Sequence, residues 1–136
     1  MSQENVEIMR EGYRAFSSGE VDGFLALVDP DIEWKSVEDT EPKRGVDGVI
    51  ESVGDWFRVW EELHIEQEEL IDAGDHVIAV VNERGRLAGI AGEVSERFFQ
   101  VWTLRDGRIV SFREYKTRRE ALEAVGLSEQ DAHADS

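Results

Sequence analysis

The sequence predicts an α+β fold. A curved antiparallel sheet forms a cone-shaped partial barrel, three helices from the N-terminal half pack in its hollow, and a short helix closes the chain. Three observations carry this reading. Apolar residues recur at steps of three and four in the first half and alternate in the second. The helical segments precede the run of strands instead of interleaving with it, which argues α+β over a wound parallel sheet. Asp106-Gly107 separates two alternating segments and is the strongest short hairpin signal in the chain.

Val6, Met9, Tyr13 and Phe16 mark one face of a first helix, which Gly19 ends as a left-handed cap. Val21, Phe24, Leu25 and Val28 form a second, short stripe, stopped by Asp29-Pro30. A brief strand over 32–36 leads into a charged, irregular stretch over 37–47. Asp47 is then the candidate N-cap of a third helix whose wide apolar face runs from Val49 through Trp56, Phe57 and Trp60 to Leu63. Strands follow over 64–71 and 76–84, with a turn at Ala73-Gly74. Gly85, Gly89 and Gly92 fall in a stretch read as a twisted hairpin end or bulge. The last two strands span 95–104 and 108–115. Thr117 and Glu120 form a capping box before Ala121, Leu122 and Val125, and Gly126 closes that final helix. Residues 1–127 read as one domain and 128–136 as a polar flexible tail.

The chain of 136 residues has room for one domain. Its 31 acidic against 15 basic residues give a formal charge of -16, a surface that repels phosphate backbones and anionic lipid, so neither nucleic acid nor a membrane is expected as partner. Forty per cent of residues are apolar, enough for a core. The absence of cysteine rules out disulfides, thiol nucleophiles and thiolate-bound zinc. The first 19 residues carry Glu4, Glu7 and Glu11 where a secretory signal needs a basic start and an apolar stretch, and a cytoplasmic location is expected. His64, His76 and His133 lack ligand spacing, the glycines match no phosphate loop, and no metal or other cofactor is called for.

Polar residues on apolar strands remain as the candidates for chemistry. Strand side chains alternate between faces. One face would carry His76, Ile78, Val80, Asn82 and Arg84, with Phe98, Gln100, Trp102 and Leu104 on the next strand and Val110, Phe112 and Glu114 on the last. If that face lines the hollow, Arg84, Gln100 and Glu114 are the catalytic candidates. Asn82, Phe112 and Trp102 then share the pocket with Trp34 and Ser36 from the first strand, and Trp56 and Trp60 roof it. The other assignment joins Val77, Ala79 and Val81 to Phe99, Val101 and Thr103 and to Ile109, Ser111, Arg113 and Tyr115. Periodicity leaves both open. Two apolar faces also imply a cover beyond the helices, and a homodimer through the sheet is expected. Burial among aromatic rings would raise the pKa of Glu114, whereas a nearby Arg84 would lower it.

Three segments resemble the nuclear transport factor two-like superfamily, in particular its SnoaL-like polyketide cyclase branch: EGYRAFSSGEVDGFLALVDPD over 11–31, KRGVDGV over 43–49 and VWTLRDGRIVSFREYKTRREALEAVGL over 101–127. The resemblance implies a cone-like α+β barrel, usually dimeric, whose relatives include cyclases, isomerases, hydrolases and binding domains. The tyrosine and two aspartates of its ketosteroid isomerases align with Gly12, Ser36 and Gln100, which lack those groups, and Tyr13 stands one position from the tyrosine. The arginine and one carboxylate of its epoxide hydrolases align with Arg84 and Glu114, while the second carboxylate falls at Arg86. The base of the cyclases aligns with Glu114 and their histidine with Gln100. Two function classes follow. One is a cofactor-independent enzyme acting by acid/base chemistry on a small apolar carbonyl-bearing or cyclic metabolite, with Tyr13 among the substrate-binding residues. The other is a non-catalytic dimer that binds a hydrophobic ligand or a protein.

Overall fold

The computed structural model describes residues 2–128, so the expected tail lies, past Ser128, outside the described residues. Helix α1 (Ser2–Ser17) buries Val6 and Met9 completely and carries Arg14 and Glu11 outward as an ion pair of 2.6 Å. Gly19, at φ +79°, turns the chain after it, and the amide of Glu20 donates back to the carbonyl of Ala15. The five-residue α2 (Val21–Leu25) buries Phe24. Strand β1 spans Val28–Lys35, so Val28 belongs to a strand and not to the preceding helical stripe. Pro30, which has no N–H for a ladder, lies within the stretch where β1 slips register between Val28 and Glu33.

A two-residue β2 (Lys43–Arg44) leads into α3 (Gly45–Arg58). Arg44, not Asp47, is the N-cap, and it makes no side-chain cap bond. Asp47 stands in the first turn, where its charge meets the positive end of the helix dipole. The helix also ends earlier than its apolar pattern suggests. Trp60 and Leu63 belong to β3 (Trp60–Ala73), because pairing with Leu87 and Gly85 of β4 (His76–Leu87) takes over from the helical repeat. β4 therefore runs through Gly85. A side chain there would place its Cβ 2.0 Å from the carbonyl oxygen of Glu62, so only glycine lets the two backbones approach.

Strands β5 (Val94–Arg105) and β6 (Arg108–Tyr115) meet across Asp106 and Gly107, both with positive φ, as a primed hairpin turn requires. Thr117 Oγ1 accepts the amide of Glu120 and caps α4 (Arg118–Ala124). The six strands form one curved open sheet in the order β2-β1-β6-β5-β4-β3. It is not wholly antiparallel: β1 lies parallel to β6. The main core joins Val6, Met9, Phe24 and Val49 of the three N-terminal helices to the inner face of the sheet.

Register settles which residues share that inner face. Ala79 pairs with Gln100 and Gln100 with Glu114, so odd-numbered residues of β4 share a face with even-numbered residues of β5 and β6. The hollow is lined by Val77, Ala79, Val81 and Glu83 with Phe98, Gln100, Trp102, Phe112 and Glu114. The first sequence assignment thus holds for β5 and β6 and fails for β4, where the second holds. A slip between Thr103 and Leu104 brings Ile109 to the inner face as well. On the outer face, Ile71, Ile78 and Val101 are covered by Ala121 and Leu122 of α4. The chain's own last helix supplies a cover there. Beyond it the outer face is charged, with Arg97 and Glu68 paired at 2.6 Å and Arg86 and Glu62 at 3.2 Å.

Candidate active site

The mouth of the cone holds a cavity of about 620 Å³, within the range of small-molecule sites. Its walls are aromatic. All four tryptophans line it, with Trp34 and Trp60 from the starts and ends of strands, Trp56 from α3 and Trp102 from β5. Trp34 stacks on Phe112 at 4.1 Å between ring centres, and Trp102 meets Tyr13 edge-on at 5.9 Å. These contacts fix the ring planes and leave a rigid apolar surround.

Polar groups converge in one direction through it. Trp102 Nε1 donates to the Tyr13 hydroxyl at 2.8 Å. That hydroxyl donates to Gln100 Oε1, and Gln100 Nε2 donates to Glu114 Oε2 at 3.0 Å. The amide of Val37 reaches the other oxygen, Glu114 Oε1, at 3.3 Å. The chain of donors orients the Gln100 amide with its NH₂ toward the carboxylate. Helix α1 makes this possible, because Tyr13 follows Met9 on the face turned to the sheet. Burial pushes the Tyr13 phenol above its ordinary value, so it stays a neutral donor. Burial also raises Glu114. The bonds from Gln100 and Val37 pull it back, and the charges of Glu38 and Glu96 push it up again.

Glu83 is the residue the sequence reading missed. It is 5% exposed, lines the cavity from β4, and pairs across the ladder with Glu96. Burial pushes its pKa up to about 8, helped by the charges of Glu114, Glu38 and Glu96 and opposed by hydrogen bonding from Trp56. A signal for it was present: Glu83 continues the row Val77, Ala79, Val81 by one more step of two.

The remaining candidates divide. Tyr13, Trp34, Ser36, Trp56, Trp60, Gln100, Trp102, Phe112 and Glu114 all border the cavity. Ser36 is tied locally, its amide and hydroxyl both donating to Asp39 Oδ2 at 3.0 and 3.1 Å. Arg84 and Asn82 do not border it. They alternate to the outer face, where Arg84 is half exposed with Nη1 3.9 Å from Glu93, and Asn82 Oδ1 accepts from Ser95 Oγ at 3.0 Å. The lowering of Glu114 that a close Arg84 would cause is therefore not in play. Among the described residues, no group of three or more His, Cys, Asp or Glu side chains is placed to hold a metal ion, and no helix is long and apolar enough to cross a membrane.

Comparison with known proteins agrees with the architecture. The family model described as SnoaL-like domain matches residues 9–112. A nuclear transport factor two-like protein of unknown function from Burkholderia pseudomallei K96243 superposes with a TM-score of 0.75 at 23% identity, covering 90% of this chain and 98% of the other. Bal32a, from a soil-derived mobile gene cassette, gives 0.74 at 19% identity, covering 84% and 89%. A protein from Jannaschia sp. CCS1 described as a SnoaL-like polyketide cyclase gives 0.71 at 19% identity, covering 93% and 94%. No curated protein matches the chain.

Proposed function

The chain belongs to the SnoaL-like domain family, and from that premise we propose that it is a cofactor-independent enzyme moving protons on a small, largely apolar, carbonyl-bearing or cyclic molecule. The observation that carries this reading is the run of donors ending on Glu114 inside an aromatic cavity. A carboxylate held by Gln100 and the Val37 amide is aimed, and its raised pKa makes it a stronger base than a solvated glutamate. Glu114 takes a proton from the carbon beside a carbonyl, and the electron pair of that C–H bond moves to the carbonyl oxygen. Return of the proton to the same or another carbon gives exchange, isomerisation or ring closure.

The test uses a bicyclic aryl ketone, 1-tetralone, in heavy water, with loss of the α-proton followed by NMR. The protein is expected to accelerate exchange over buffer, and Glu114→Gln to abolish the acceleration while the ketone still quenches tryptophan fluorescence. Binding without accelerated exchange in the wild type would replace the catalytic reading with that of a ligand-binding domain.

A further inference from the structure

We infer that the molecule this cavity takes is a hydrophobic cation, an apolar body carrying a protonated or quaternary nitrogen. The inference rests on the reading of the cavity as the ligand site and names the ligand's charge. Its basis is a mismatch between the cavity's charges and their partners. Of the acidic residues bordering the space, Asp55 is bonded to Arg58 at 2.6 Å and Asp39 to Ser36. Glu38, Glu83, Glu96 and Glu114 face no cation, Glu114 being bonded only by Gln100 and the Val37 amide and Glu83 only by Trp56, and the only basic side chain among the described lining residues, Lys43, lies 3.4 Å from Glu51. The charges acting on Glu83 are those of Glu114, Glu38 and Glu96, and those acting on Glu114 are Glu38 and Glu96, so each carboxylate faces others of its kind.

Two further observations point to a ligand rather than to a solvated acidic rim. Glu83 is 95% buried and borders the cavity without an opposing cation. Glu83 and Glu96 are also direct cross-strand partners on the inner face, a position where sheets place opposite charges because like charges repel. A positive group between them and Glu114 would draw the proton off Glu83 and set each carboxylate against an opposite charge. The walls agree. Indole and phenyl faces carry negative potential and attract cations, Trp most strongly, and four tryptophans surround the space. An anionic ligand such as a carboxylate or phosphate ester would meet both the rings and the carboxylates with the wrong sign.

The experiment titrates the full-length protein, by quenching of its tryptophan fluorescence, with choline and with its neutral isostere 3,3-dimethylbutan-1-ol. Benzyltrimethylammonium serves as a bulkier cation and benzyl alcohol as its neutral control. Cations are expected to bind at least about tenfold tighter than their neutral counterparts. Glu83→Gln, and separately the exposed Glu96→Gln, should lower cation affinity several-fold and leave neutral affinity unchanged. Equal affinity for cation and neutral isostere overturns the cation inference and leaves the pocket reading in place. Saturable binding by none of the four probes overturns the pocket reading itself. If Glu83→Gln fails to fold, loss of affinity in Glu96→Gln decides, and unchanged affinity there overturns the inference.

Discussion

Replacing Glu83 by glutamine should stabilise the protein, and by an amount that grows with pH. An ordinary glutamate titrates near 4.5, whereas burial and neighbouring carboxylates hold Glu83 at about 8. Below pH 4.5 both the folded and unfolded forms carry the proton, and the shift has no effect on stability. Between 4.5 and 8 the unfolded chain has released its proton and the folded chain keeps it, so stability falls as pH rises. Above 8 both are ionised and the loss is complete. At about 1.4 kcal/mol per pH unit, the loss reaches roughly 3 kcal/mol near pH 7 and approaches 5 kcal/mol above pH 8. The repulsion is shared with Glu114, so these are upper bounds. Glutamine has the shape of the protonated acid and no charge, and it removes the loss. The assay is urea unfolding followed by tryptophan fluorescence for both proteins at about pH 5 and about pH 9. The gain from Glu83→Gln should be under about 1 kcal/mol at the lower pH and several-fold larger at the higher. A gain that is the same at both, or a variant less stable than wild type at the higher pH, would refute the placement of Glu83 as a buried, cation-free carboxylate.

Other outcomes follow from the same geometry. Gly85→Ala would put a methyl carbon 2.0 Å from the Glu62 carbonyl oxygen, so β3 and β4 must part locally; a loss of about 2–4 kcal/mol in urea unfolding is expected. Leu122→Ala removes a 1% exposed side chain from the outer cluster and should cost about 2–5 kcal/mol in the same assay, with no change in ligand affinity. Tyr13→Phe leaves the Trp102 N–H without its acceptor and Gln100 without its donor, and should cost about 1–3 kcal/mol while slowing exchange on 1-tetralone. A homodimer through the outer sheet face would have to use the charged rows beyond α4, so its sedimentation mass should fall toward the monomer at high salt; a monomer mass at both low and high salt would remove it.

Most elements could be read from residue spacing because each is specified locally. The Asp106-Gly107 turn, the Thr117 cap and the Val6-Met9-Tyr13-Phe16 face each lie within a few residues of the structure they create. Misreadings occur where a distant partner decides. The apolar run of α3 continues through Trp60 and Leu63, and only β4 pulls those residues into a strand. The same holds for the site. Alternation gives two faces for every strand, but the loop between β4 and β5, unlike a two-residue turn, does not fix how the faces of the two strands combine. One residue of register exchanges Arg84 for Glu83. That single step converts a cavity with an expected arginine–glutamate pair, neutral overall, into a negative one with opposed carboxylates.

The acidity of the chain takes on a different meaning in this light. A net charge of -16 spread over loops and helix faces keeps a small protein soluble and carries no further message. Glu38, Glu83, Glu96 and Glu114 are different, because they border one cavity. Packing does not require them there: apart from Gln100 the inner face of the sheet is otherwise apolar, and a neutral side chain at Glu83 would relieve desolvation and repulsion together. Local arrangements that cost stability without a packing return are the kind found at functional sites. Glu83 and Glu96, opposed across the ladder, have the geometry to be relieved by something the chain does not itself supply, a positive charge that enters from outside.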